Sequence, residues 1–395
     1  MKLSFFSNYF SHHQQPLCDA WYRMYGDDFA FVSTEPVPEE RIRMGWRTYE
    51  GVPFEIHCPG GDSAPPFDIE ACDSVILGNA PMSLVRSRLE KGKTVFKYSE
   101  RVFKDGYNYL KWLPRLFTYR KKYGRYKSLY LLAASAFACA DFNMHGVFIG
   151  KSYKWGYFPE TKHYDIGQLL SGKAEHTLLW CGRLIDWKHP ELAVEVARRL
   201  KAENYSFRLE MIGTGALKEQ VLTGIAESGL EDCVSLIDSL TPDEVRTHME
   251  KAQIFIATSD FHEGWGAVLN ESMNSGCAVV ASHAIGSVPF LIRHGENGLV
   301  YRNGHADDLY KKVKALLDCS KERERISEAA YRTITDLWNA EVAAERFVLL
   351  SEEIEKHGYC DLFEDGPCSR AAFVRNNWFR KSSQPKSRQP KTAPR

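Results

Sequence analysis

Two carboxylates, Glu263 and Glu271, frame the stretch of this chain whose residue types could do chemistry, EGWGAVLNE, with seven residues between them. Gly264, Trp265 and Gly266 form a turn in that stretch, and its glycines let backbone N–H groups approach a bound group closely. A helix opening at Gly266 would aim unpaired N–H groups and a positive dipole end at the same place, which suits a phosphate. Further candidates are Gly182-Arg183 with Lys188, and the Gly213-Thr214-Gly215 turn. In the first half, His12-His13 and Glu100-Arg101 stand in loops after apolar runs.

The elements that must position these residues follow from the hydrophobic pattern. Ile254 to Ala257 and Cys277 to Ala281 are short apolar runs either side of the Gly-Trp-Gly turn and a helix from Ala267 to Asn274. Strand, loop, helix, strand is the repeat of a parallel sheet, and ligands bind beyond the carboxyl ends of such strands. From Thr177 on, TLLWCG, FRLEMIG, CVSLID, IFIATS, CAVVAS and GLVYR alternate with helical stretches, predicting a six-stranded Rossmann-like domain. In the first half, strands are expected at 2–8, 29–33, 54–58, 74–78 and 94–98. Leu129 to Ala140, LYLLAASAFACA, reads as a core helix, too short to span a bilayer. The resulting division is 1–168, 169–340, a helix within 341–368 crossing back, and a basic tail, 369–395, of disordered composition. The first part of that tail, Phe373 to Phe379, carries Trp378 and is a candidate for docking on the protein or a membrane. The polar stretch 161–173 reads as a linker.

With these landmarks in order, the chain resembles retaining glycosyltransferases of the GT-B fold, specifically the large glycosyltransferase family 4. The resemblance runs from about Thr177 to Leu317 and is weak before it. It implies an α/β protein of two Rossmann-like domains facing a cleft, moving a hexose from a UDP- or GDP-linked sugar to a glycan acceptor with retention. Arg183 and Lys188 match the residues that bind the donor diphosphate, where fixed cations stabilise the negative charge that grows on the leaving group. Glu263 matches the donor-sugar contact and, with Arg183 and Lys188, is assigned to catalysis. Glu271 matches the ribose contact, and Gly182, Gly213, Gly215, Gly264, Trp265 and Gly266 complete the expected donor site through backbone groups. A carboxylate that accepts from vicinal hydroxyls suits both glutamate roles. Helix capping is the alternative for Glu271 alone. On this resemblance the carboxylates are not a glycosidase pair, because both bind the donor.

The chain departs from the family at three places. His189 follows Lys188 where glycine is usual, His12-His13 replace a glycine-rich loop, and Ser99-Glu100-Arg101 stand where a histidine is common. His12, His13, Glu100 and Arg101 are therefore acceptor-side candidates, with a solvated loop and a surface ion pair as the competing readings. His262 reads as a solvated loop histidine.

Composition limits the remaining classes. Over 395 residues, 51 Lys plus Arg balance 51 Asp plus Glu, which gives no overall case for nucleic acid. Ten cysteines without a C-x-x-C pair favour buried thiols in a reducing compartment. The family resemblance implies no cofactor and no metal, since such enzymes use cations and helix N-termini at the diphosphate. Locally, residues 111–130 carry seven basic side chains interleaved with aromatics and no acid, the composition of a segment on an anionic membrane surface. No RNA-binding module accompanies the patch. A cytoplasmic protein is expected, peripheral at most on the inner face of the membrane, and the family resemblance implies a glycan or lipid-linked glycan acceptor in bacterial surface polysaccharide synthesis. The competing activity is a nucleotide-sugar epimerase, and the competing class a non-catalytic sugar- or membrane-binding scaffold.

Overall fold

The computed structural model describes residues 1–43, 46, 49, 51–58, 65–106 and 112–379. Lys111 and the tail from residue 380 lie outside the described residues. The first sheet contains β1 (Leu3–Ser7), β2 (Phe29–Ser33), β3 (Glu55–His57), β4 (Ser74–Leu77), β5 (Val95–Ser99), β6 (Leu129–Ala133) and β7 (Ser152–Lys154). All are parallel, in the order β3-β2-β1-β4-β5-β6-β7. The second contains β8 (Thr177–Cys181), β9 (Arg208–Ile212), β10 (Val234–Ile237), β11 (Ile254–Ala257), β12 (Ala278–Ser282) and β13 (Leu299–Tyr301), also parallel. Its order is β10-β9-β8-β11-β12-β13. Both sheets reverse direction of growth beside their first strand, and at such a switch point the loops part to leave a crevice.

Strands β1, β6 and β12 are buried at every position, as strands covered by helices on both faces must be. That burial explains one correction. Leu129 to Ala140 is not a core helix: it is β6, a turn, and the start of the helix Ala138–Asn143. A run apolar at every position carries no periodicity to separate strand from helix. Strand β7 also went unread, because only three residues of KSYKWGYFPE join the sheet edge. The stretch read as a linker holds a helix, Ile166–Ser171, capped by the Asp165 carboxylate accepting from Gln168 N–H at 3.1 Å. Lys173 beyond it is buried, and its ammonium donates to the carbonyls of Met249, Glu250, Ala252 and Ser275 at 2.8–3.2 Å.

The two domains share one continuous apolar core. Trp265, Phe290 and Trp338 from the second half pack with one another, Trp338 lies parallel to Phe158, and the Trp265 ring lies against Gly156, where a Cβ would overlap it. Ala136 N–H donates to Gly286 O across the seam at 2.8 Å. The helix Ala340–His357 packs on Gln15–Tyr25 of the first domain, with Trp21 Nε1 donating to Ala344 O at 3.3 Å. Residues 369–379 do not follow the disordered composition of the tail. Lys154 N–H donates to Ser369 O and Ala371 N–H to Ser152 O beside β7, then Trp378 Nε1 donates to His283 O in the second domain.

Candidate active site

A cleft of about 480 Å³ opens where both switch points face each other. Gly182, Arg183, Lys188, Gly213, Glu263 and Glu271 line its second-domain wall. The loop after β8 is tied to the end of β11: Thr258 Oγ1 donates to Lys188 O at 2.5 Å and accepts from Trp180 Nε1 at 2.7 Å. That anchoring places the Lys188 ammonium on the Glu263 carboxylate, both side chains 13% exposed, while Ser259 Oγ donates to the same oxygen of Glu263 at 3.1 Å. Arg183 and Lys188 both lie over the Trp187 ring. Burial lowers the Arg183 pKa and the cation of Arg41, from the other domain, lowers it further. An anion entering the cleft would relieve both effects.

The structure explains how His189 stands in a glycine position. Its φ of 48° is left-handed, and it precedes the helix Pro190–Ala202. Its ring bonds Glu191 at 2.9 Å and Asp260 at 3.3 Å, which offset the backbone cost and raise its pKa to about 9. Asp260 is pushed up by burial, yet the hydrogen bonds from His189 and His262 hold it at about 2. His262 is more than a solvated loop residue: Nδ1 bonds Asp260 and Nε2 bonds Asp105 of the first domain, each at 2.9 Å.

Glu271 sits in the helix Val268–Asn274. Burial raises its pKa and the Arg246 cation opposes that rise. Such a carboxylate is poised to accept ligand hydroxyl groups. Gly213 lines the cleft with a backbone conformation (φ 142°) and a contact with Gly182 O that leave no room for a Cβ. Gly215 instead supports the loop from behind, against Leu184 O. Trp265 does not line the cleft either: its buried indole donates to Asn270 Oδ1 at 2.9 Å and packs in the seam.

On the first-domain wall, the His12 and His13 rings lie 4.0 Å apart under Trp46, and Tyr157 closes on His13. Burial holds His13 well below the usual histidine pKa, helped by His12 and Arg41, so the ring is neutral. These histidines belong to the cleft wall rather than to a solvated loop. Glu100 accepts from Tyr157 Oη at 2.9 Å and Lys104 Nζ at 3.1 Å, and its carboxylate lies on Gly264. Arg101 is placed differently. Its guanidinium is fully buried between the rings of Phe137 and Phe261 and bonds Asp141 and Asn376 at 3.4 Å, in the seam.

Arg41, Trp46, Lys104 and Tyr157 line the cleft and were not singled out from the sequence. Single cations and aromatics in loops, or in a helix as short as Glu39–Arg43, carry no spacing that marks them. Tyr157 alone offered a signal, as an aromatic in the punctuated crossing between domains.

Residues 164–333 match the family described as Glycosyl transferases group 1. The second domain thus belongs to that family, and the pair of domains has the GT-B fold. Among curated relatives, the amylovoran biosynthesis glycosyltransferase AmsK of Erwinia amylovora is 29% identical over 182 residues, 45% of this chain and 44% of that protein. The N-acetylgalactosamine-N,N'-diacetylbacillosaminyl-diphospho-undecaprenol 4-alpha-N-acetylgalactosaminyltransferase of Campylobacter jejuni is 29% identical over 153 residues, 39% and 40% of the two chains. The chain spans less than half the length of these curated relatives. The structure of Anabaena HepE in complex with UDP superposes with a TM-score of 0.66 at 14% identity, over 90% of this chain and all of that one.

Proposed function

We propose that this protein is a metal-independent, retaining glycosyltransferase that moves a hexose from a UDP- or GDP-linked donor to a glycan acceptor in bacterial surface polysaccharide synthesis. The observation that carries the reading is the pairing of Lys188 with Glu263 at the second switch point, with Arg183 and Glu271 lining the same wall. A donor would divide that pair. Its diphosphate takes Lys188 and Arg183, and its sugar hydroxyls take Glu263 in place of the ammonium. Glu271 accepts from the ribose hydroxyls. As the bond from the anomeric carbon to the phosphate oxygen breaks, charge grows on the diphosphate beside the two cations, which act where other transferases use a metal. The acceptor oxygen bonds to the same face of that carbon, and its proton passes to the departing phosphate oxygen. UDP is the first donor base to test, because the superposable HepE binds UDP.

Membrane contact is part of the proposal. The helix Trp112–Tyr119 packs a half-buried Tyr119 against Phe103 and Phe142 but exposes Trp112, Leu113 and Phe117, with the exposed cations Arg120, Lys121 and Lys122 following. Among the described residues no helix is long and apolar enough to cross a membrane, so contact would be interfacial.

The deciding experiment is thermal unfolding with a panel of UDP-, GDP- and ADP-sugars, with and without EDTA. A rise in Tm with one donor, unchanged by EDTA, is expected. No rise with any donor would overturn the donor-site assignment, and a rise abolished by EDTA would overturn metal independence.

A further inference from the structure

Beside the donor cleft lies a second cavity, of about 340 Å³, at the switch point of the first sheet. The two share Tyr9, His13, Trp46, Glu100 and Tyr157. The size is within the range of small-ligand sites, and aromatic walls with a few amide and hydroxyl groups (Asn8, Asn79, Ser99) suit a sugar ring. Its charged lining is unevenly distributed. Glu100 stands at the mouth shared with the donor cleft and is held by Tyr157 and Lys104. Arg101 is committed to Asp141 and Asn376. Lys97, on β5, reaches Gly78 O with its ammonium, and among the described residues no carboxylate lies within ion-pair distance of it.

An enclosed cation without a counter-ion is costly, and proteins usually supply a carboxylate beside it. Here burial lowers the Lys97 pKa to about 8, and the charge acting on it is another cation, Lys122. At neutral pH the ammonium still carries its proton, and an anion from outside would lower its energy. We propose that this cavity holds the acceptor sugar and that Lys97 selects an acceptor sugar carrying a negatively charged substituent, a carboxylate or a phosphate, whose reacting hydroxyl faces Glu100. The proposal rests on the transferase reading and names the acceptor class for it.

The test measures binding of methyl glucuronide, methyl glucoside and glucose 6-phosphate to the full chain with UDP saturating the donor cleft, in wild type, Lys97→Met and Lys97→Gln. Glutamine keeps an N–H donor for Gly78 O while removing the charge, so it guards against a loss that is only structural. An acidic sugar is expected to bind at least about tenfold more tightly than the glucoside, the worth of one charge-assisted hydrogen bond, and both variants should lose that preference. Whether the glucuronide or the phosphate gains more identifies the substituent. Equal binding of acidic and neutral sugars, no binding of either, or a preference that survives Lys97→Gln would overturn the proposal. Transfer to neutral glycans as efficient as to their acidic counterparts would do the same while leaving the transferase reading standing. An acid preference without transfer from any donor would sink the transferase reading alone.

Discussion

Replacing Lys188 with methionine removes one half of an ion pair of which each side chain is only 13% exposed. Breaking a buried pair by one partner costs roughly 3–5 kcal/mol, because the other charge is left without compensation. The cost here should lie lower, at about 2–3 kcal/mol, since Glu263 keeps the Ser259 hydroxyl and lies close enough to Arg183 to interact with its charge. In a domain of this size that is a fall in Tm of about 5–10 °C. Catalysis should fall further, since losing one preorganised group at a developing charge costs about 10²–10³ in kcat. The double variant Lys188→Met/Glu263→Gln separates the two effects. It removes both charges, so its stability should return to within about 1 kcal/mol of wild type while activity stays lost. Calorimetric unfolding and initial-rate kinetics on the donor found by thermal shift measure both. A single variant with kcat within about threefold of wild type would refute the leaving-group role. A double variant no more stable than the single would refute the stranded-charge argument.

Glu271→Gln should weaken UDP binding at neutral pH by about tenfold or more, the worth of hydrogen bonds to a charged acceptor. Because burial raises the Glu271 pKa, ligand hydroxyls that favour the ionised form must lower it again, so wild-type affinity should fall as the pH drops through the raised value. The same shift means that Glu271 adds stability to the unliganded protein at low pH and loses it as pH rises through the folded pKa, so the variant should unfold at a higher temperature at neutral pH. Calorimetric titration across pH checks both, and a variant with the wild-type pH profile would exclude Glu271 from the ribose contact. Phe117→Asp puts a charge on the exposed apolar face of the 112–119 helix and should abolish co-sedimentation with anionic vesicles without lowering Tm. Unchanged sedimentation would remove the membrane from the proposal.

The second domain was legible because its strands are short, mostly apolar and bounded by a glycine or polar turn, and because Arg183, Lys188 and Glu263 stand in the loops that follow strands. The first domain was legible only where strands alternate with clear helices. Strand β6 failed because a doubly covered strand has no polar face, and β7 because its pairing is decided by the neighbouring strand rather than by its own residues. Trp265 shows a different limit. The glycines around it mark a turn, but only packing tells whether the indole faces a ligand or Phe290 and Trp338.

The first-domain wall of the cleft was illegible for a reason that the geometry makes plain. Each of its residues comes from a different connection: His13 from the loop after β1, Arg41 from the short helix Glu39–Arg43 after β2, Glu100 from the loop after β5, and Tyr157 from the crossing between domains. No two share a spacing, so the sequence shows them only as scattered side chains. The second-domain wall of the cleft betrays the first-domain wall at one position, Gly264. A Cβ there would overlap the Glu100 carboxylate, so the absence of a side chain in the donor turn is fixed in part by a residue of the other domain. Glycine at that position serves two ends. It leaves the turn without a side chain at the cleft, and it lets a carboxylate held by Tyr157 and Lys104 reach the point where the two cavities meet. That contact sets Glu100, rather than Arg101 beside it, at the junction of the two cavities.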